Sequence, residues 1–347
     1  MERRSTWGWF RRRGYLPVIA VTLASCYSGC APRRPATATA GGDVVVIPPP
    51  PGAVERASDD AVTETQMRNV DFRLAPAIVL RVRWLRGEMV PKDSGRPVVF
   101  DDKRAFAIRL RDATVALRMD DLTHLMNDHV FAYRGSPLEH LRFRTDGTRL
   151  VMSGTMHKVI DIPFTISSSL SVTGRGEIRV HPERIKIVGL NGKGLLRALD
   201  IHLSDLLDLS GAKGVRVEGN DLVLDPERIL PPPIIQGRLV AIRTEPGALV
   251  QRFRSADGDT TLPDTLTPPH GVPNYMFFRG GTLRFGKLYM VHADMEIVDA
   301  DPSDPFDFSL DRYNDQLVAG YSRNTQDHGL VVTMPDLRSL DSARSRR

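Results

Sequence analysis

Apolar residues recur with a period of two over much of this chain. Ile78, Leu80, Val82 and Trp84 alternate with Val79, Arg81 and Arg83. Phe164, Ile166, Ser168, Leu170 and Val172 alternate with Thr165, Ser167, Ser169, Ser171 and Thr173. Successive strand residues face opposite ways, so the second run predicts a strand with one oily and one hydroxyl face. Val215 and Val217 reach Leu222 and Leu224 across Gly219-Asn220, turn residues suited to positive φ, which predicts a hairpin. Ile178 and Val180 lead through His181-Pro182-Glu183 to Ile185 and Ile187 and read as another hairpin. Such strands predict an antiparallel sheet with one covered face.

Two helical patterns interrupt the strands. Asp120 or Asp121 is positioned to cap a short helix near 121–129 that carries Leu122, Leu125 and Met126. The stronger pattern runs over 195–209. At about 100° per residue, Leu195, Leu199, His202, Leu203, Leu206 and Leu209 fall on one broad arc. That arc is wide enough to lie against a concave sheet. Pro231-Pro232-Pro233 then precedes a strand expected over Ile234 to Thr244. The fold class predicted is α+β and β-rich. A domain over 67–253 is followed by a linker over 254–273 and a smaller β-rich unit over 274–337. In that unit Gly280-Gly281 and Gly286-Lys287 read as turns between short strands, and the whole is expected to pack on the first domain. Residues 338–347 read as a polar, disordered tail.

Charge changes the picture mainly at the N-terminus. The chain carries Lys+Arg 47 against Asp+Glu 42, a formal +5. Residues 1–25 hold five Arg and one Glu, which leaves 42 against 41 for the rest. The apparent basicity is therefore largely local, and no electrostatic case for nucleic acid remains. Arg3, Arg4 and Arg11-Arg12-Arg13 precede the apolar run Tyr15 to Ala24. That run is shorter than the roughly 20 apolar residues a membrane span needs and has the length of a signal peptide over 1–25. Both cysteines, Cys26 and Cys30, lie just beyond it, so the rest of the chain has no disulfide and no Cys-based zinc site. Residues 26–66 read as a disordered tether. Ala36 to Gly42 is small and flexible, and Pro48 to Pro51 is stiff polyproline II.

Candidate chemistry is sparse. Asp299, Asp301, Asp304, Asp307 and Asp311 form an acidic run. Hard cations take clustered carboxylates, which makes Asp299, Asp301 and Asp304 the metal candidates. Pro302 and Pro305 break the run into turns, and the alternative is a solvated loop. His124, His129 and His140 lack the spacing that sets two ligands on one helical face. Ser210-Gly211-Ala212-Lys213 matches Ser-x-x-Lys, but neither Ser-Asp-Asn nor Lys-Thr-Gly occurs. No phosphate-binding glycine loop or dinucleotide fingerprint is present. The sequence therefore points to a non-enzymatic protein with no cofactor. His202 has two readings, a contact to a lipid headgroup or a satisfied core histidine.

Leu23-Ala24-Ser25-Cys26 resembles a bacterial lipobox, in which the cysteine receives the lipid and becomes the new N-terminus. Arg12-Arg13-Gly14-Tyr15-Leu16 also resembles a twin-arginine export signal. The long alternating strands, the 195–209 helix and Ile162-Pro163-Phe164-Thr165-Ile166 followed by hairpins resemble the tubular lipid-binding superfamily, and within it the LmeA-like phospholipid-binding envelope proteins. The resemblance implies a curved antiparallel sheet wrapped around a helix, with an apolar groove for acyl chains. Leu199, Leu203, His202 and Phe164 are then the candidate groove residues, and the same residues would also serve a dry core. Three functions follow as expectations: a lipid-anchored envelope protein of the periplasm or cell surface that binds phospholipid or another amphiphile; an assembly module that binds an envelope protein; and a metal-assisted enzyme on the acidic run. Replacing Cys26 with Ala is expected to abolish partitioning into the detergent phase. Retention of that partitioning would remove the lipid anchor from the reading.

Overall fold

The long period-two runs become long strands. In the computed structural model, the residues described are 45–47, 62–93, 95–157, 160–187, 208–256, 271–326 and 329–345, all within the unit Gly42–Arg347. Three strands make the spine: β2 (Thr63–Ala75), β3 (Ile78–Pro91) and β5 (Phe106–Arg118). β2 and β3 form a hairpin over Pro76-Ala77, and β5 pairs antiparallel with β3. Beyond β5 lie β14 (Ala248–Arg254) and β13 (Arg238–Glu245). Beyond β2 lie β15 (Tyr275–Phe285), β16 (Leu288–Asp299), β19 (Leu330–Met334) and β18 (Tyr321–Asn324). Four short strands join this path by parallel pairing: β1 (Val45–Ile47), β4 (Val98–Val99), β12 (Ile234–Gln236) and β17 (Phe306–Ser309). The result is β-rich, a large curved mixed sheet with a few short helices, not closed into a barrel.

A second, antiparallel sheet has the order β10-β11-β9-β8-β7-β6. Its strands are β6 (Leu138–Asp146), β7 (Arg149–His157), β8 (Asp161–Val172), β9 (Ile178–Ile187), β10 (Val215–Glu218) and β11 (Asp221–Leu224). Helix α1 (Met119–Leu125), prolonged by one π-helical turn over Met126–Val130, ties the two sheets together. Asp121 accepts the Val79 N–H of β3 at 3.3 Å. Asn127 accepts the Leu141 N–H of β6 at 2.9 Å and donates to the Leu141 carbonyl at 2.8 Å. Asp120 and Asp121 therefore lie in the first turn of α1, where the helix dipole favours negative charge. They do not cap it; Arg118 stands at the N-cap without a side-chain bond.

Several expectations need correction. Residues 178–187 form one strand, not a hairpin, because a bulge opposite Ser167 and Ser168 absorbs Glu183. Gly280-Gly281 does not end a strand; both glycines take positive φ inside β15 and kink it. A side chain at Gly281 would lie 2.5 Å from the Val62 carbonyl oxygen. The strand expected over Ile234 to Thr244 is broken at Gly237 into β12, beside β5, and β13, beside β14. A Cβ at Gly237 would meet the Leu110 side chain at 2.9 Å. Val45–Ile47, expected within the tether, pairs with β16, and β2 opens at Thr63. The expected disordered tail forms a helix, α4 (Leu337–Arg344), held by Arg312 to Asp341 at 2.8 Å. The C-terminal strands meet the first domain edge to edge, where β15 pairs directly with β2.

The core is nearly continuous and is densest in aromatics near the C-terminal strands. Phe100 meets Phe285 at 5.0 Å, Phe278 at 5.5 Å and Tyr313 at 5.7 Å between ring centroids. Tyr313, in α3 (Tyr313–Ala319), donates to Asp101 at 2.7 Å and accepts the Gly286 N–H at 2.8 Å. Edge-to-face pairs of this kind add to plain area burial. Phe100→Ala is expected to cost about 3–5 kcal/mol in urea denaturation. A loss below about 1 kcal/mol would show that the cluster does not depend on Phe100.

Candidate ligand slot on the buried face of the large sheet

The alternation of β3 and β5 sends Leu80, Val82, Val115 and Leu117 to the buried face of the sheet. Together with Leu125 of α1 and Phe253 of β14 they border a narrow slot. The far wall is built by α2 (Pro226–Ile229) and the segment that follows it, through Ile229, Leu230 and Ile235. Local chemistry sets that wall. Asp225 caps α2 by accepting the Glu227 N–H at 3.0 Å, and Pro226 occupies the first turn, where its missing N–H is no loss. Glu227 reaches back to accept the Gly237 N–H at 3.0 Å. This fastens α2 to the break between β12 and β13. Burial raises the pKa of that carboxyl.

Among the described residues sixteen border the slot, and one of these, Gln251 of β14, is polar. The volume open to the centre of a water-sized sphere is about 40 Å³. That exceeds the room one water needs, but among the described residues a water there would find a single side-chain partner, which favours an apolar occupant.

The groove residues expected from sequence map onto this site unevenly. Leu199, His202 and Leu203 lie outside the described residues. Of the stretch 195–209, Asp208 and Leu209 are described, and Leu209 is buried in the core. Phe164 is buried in β8 within the same core cluster but does not border the slot. Gln251, Leu230 and Ile235 were not singled out from the sequence. The signal for the last two was Asp225-Pro226, a cap-and-proline pair that announces a helix start.

The acidic run does not converge on one point. Asp299 accepts from Asn274 at 3.0 Å and from the Asp301 N–H at 2.9 Å, Asp304 pairs with Arg338 at 3.1 Å, and Asp301 accepts the Ser303 N–H. Asp307 is fully buried and bound by Arg73 of β2 at 2.5 and 3.1 Å. Asp311 pairs with Lys103 at 2.6 Å. Among the described residues no three His, Asp or Glu side chains are grouped to hold a metal ion. His124 bonds Asp128 at 2.8 Å. His129 has its pKa lowered by burial and by Lys213. His140 sits exposed at positive φ in β6.

Comparison with known proteins places no relative beside this geometry: no family model, no curated protein and no solved structure matches the chain.

The perturbed carboxyls nearby have structural causes. Asp336 accepts the Asp307 N–H at 2.6 Å, and burial together with Asp299 and Asp304 raises its pKa to about 6. A folded-state pKa above the unfolded value means the native state holds the extra proton. Stability from this group is full below about pH 4 and is lost as pH rises through about 6. Asp336→Asn keeps the acceptor and removes the charge. It is expected to match the parent near pH 4 and exceed it by about 2 kcal/mol near pH 8 in paired denaturation curves. A gap that does not change with pH would show that Asp336 titrates normally.

Proposed function

We propose that this protein is a membrane-tethered envelope lipoprotein that takes up the apolar chain of an amphiphile in the slot, without catalysis. The observation that carries the reading is the lining of the slot by described residues, fifteen apolar side chains and Gln251. None of these is charged, so a headgroup stays outside and only the chain is buried. Each methylene transferred is worth about 0.8 kcal/mol, and a half-buried chain already binds usefully. The lipobox-like Leu23 to Cys26 and the resemblance to tubular lipid-binding proteins support the same reading.

A second reading, an assembly module, is favoured by one edge of the large sheet. β18 is exposed along its whole length, with Tyr321 66% and nearby Val318 86% exposed. An open edge of this kind accepts an added strand.

Residues 42–347, purified without detergent and extracted with organic solvent, are expected to yield a co-purified lipid at near one-to-one stoichiometry by mass spectrometry. Val115→Trp fills the slot at an overpacking cost of about 1–3 kcal/mol and is expected to lower that yield at least several-fold. A blank extract, repeated after incubation with envelope lipids, would overturn the amphiphile reading in favour of assembly.

A further inference from the structure

The face of the spine opposite the slot holds a second, different site. Strand alternation puts Asp71, Arg81, Ala116 and Arg118 on that outer face, and a cleft of about 410 Å³ opens over them. Asp71, Arg81 and Ala116 stand side by side across β2, β3 and β5. The small Ala116 forms the floor. Arg83, two residues beyond Arg81, shares that outer face, and β3 bulges there: Val82 pairs with Val115 and Trp84 with Thr114, which leaves Arg83 extra. A bulge re-aims a side chain, and Arg83 reaches Glu245 at the tip of the β13–β14 hairpin, both guanidinium nitrogens meeting the carboxylate. The tip, Glu245-Pro246-Gly247, forms one wall and Pro305 contributes to another.

The charges do not cancel. Glu245 is bound by Arg83 and also by Arg243 at 2.6 Å. Asp71 meets Arg81 only at 3.4 Å and through one oxygen; its other oxygen is buried without a hydrogen bond. Arg118 is exposed and makes no ion pair or side-chain hydrogen bond among the described residues. It acts on Asp71 and Asp121 only through space. One guanidinium is thus wholly unused and a second is half used, at the floor of one cleft. Paired planar forks of this kind match the oxygens of a phosphate or carboxylate.

We propose that this cleft binds a phosphate-type oxyanion between Arg118 and Arg81, with Arg83 held at the rim by Glu245. Asp71 opposes an anion, and the Arg81 guanidinium 3.4 Å from it offsets part of that charge. The site lies across the sheet from the slot and does not depend on a lipid tail being held there. The oxyanion is either free phosphate or the headgroup of a phospholipid, and the test separates the two.

The full chain is titrated calorimetrically with inorganic phosphate and, separately, with dihexanoyl phosphatidic acid below its micelle concentration. Binding of phosphate with an equal affinity for the short lipid would assign the site to free oxyanion. Binding of the lipid at least tenfold tighter would assign it to a headgroup. In either case Arg118→Ala is expected to weaken binding at least tenfold, Arg118→Lys to restore only part of it, and Arg144→Ala, outside the cleft, to leave it unchanged. Arg118 is exposed, so its variants are expected to keep the parental melting temperature. Binding undiminished in Arg118→Ala, or no heat from either titrant at millimolar concentration, would overturn the proposal.

Discussion

The whole structure depends on β2 being paired along both edges, and on the break in it that makes this feasible. One edge runs against β3 for nearly the full length of the strand. The other edge is shared: Glu64 to Arg68 pair with β15, and Val70 to Arg73 pair with β17. Between them Asn69 takes a positive φ, tolerable for Asn because its short amide bonds locally. That amide donates to Asn274 at 2.7 Å, and Asn274 donates in turn to Asp299. The handover from β15 to β17 is therefore stitched by side chains where the backbone ladder changes partner. At the far end Arg73 binds Asp307 of β17. A carboxylate with no exposure is costly unless paired and hydrogen-bonded. Asp307 is both, since the Arg338 N–H also reaches it at 3.2 Å. The register of β17 on β2 is thus specified by charge as well as by the stacked rings of Phe72 and Phe308 at 5.9 Å.

The C-terminal strands therefore continue the large sheet. They complete the edge of β2, and β2 completes theirs. A similar logic fixes the polar pins in the core. Gln316 is fully buried, donates to the Asp307 and Pro335 carbonyls at 2.9 Å each, and accepts the Ser309 N–H at 2.9 Å. Buried amides that are satisfied in this way select one arrangement of neighbouring segments, because a shifted one would leave them unpaired.

What was legible in the sequence was what local chemistry decides. The β10–β11 hairpin over Gly219-Asn220 and the hydroxyl-rich strand β8 follow from turn residues and alternation. The departures share a cause: they are decided by residues far away in the chain. Residues 178–187 read as a hairpin because Pro182-Glu183 is locally a turn signal, yet pairing with β8 keeps them in one strand, β9, that carries Glu183 as a bulge. Gly280-Gly281 also reads as a turn until the close approach of Val62 is known. The acidic run reads as a solvated loop because nothing nearby in sequence neutralises Asp307; its partner Arg73 is 234 residues away. Of the candidate slot, Leu80 and Val82 were legible as one face of a strand, whereas Gln251 was not, since one polar residue in a short strand carries no pattern. The leucine-rich 195–209 stretch lies almost wholly outside the described residues.

The slot and the cleft are two faces of the same three central strands, separated by one pleat. β3 turns Leu80 and Val82 inward and Arg81 outward; β5 turns Val115 and Leu117 inward and Ala116 and Arg118 outward. Side-chain period two makes this separation strict, because a one-residue slip would carry guanidiniums into the apolar slot and valines into the cleft. Burying an unpaired guanidinium costs far more than burying a methylene gains. The apolar lining on one side therefore enforces the register that sets Arg81 beside Arg118 on the other. Arg83 obeys the same rule. It shares the outer face with Arg81 by alternation, and it is the one guanidinium of the three that is also fixed by a bidentate partner, Glu245.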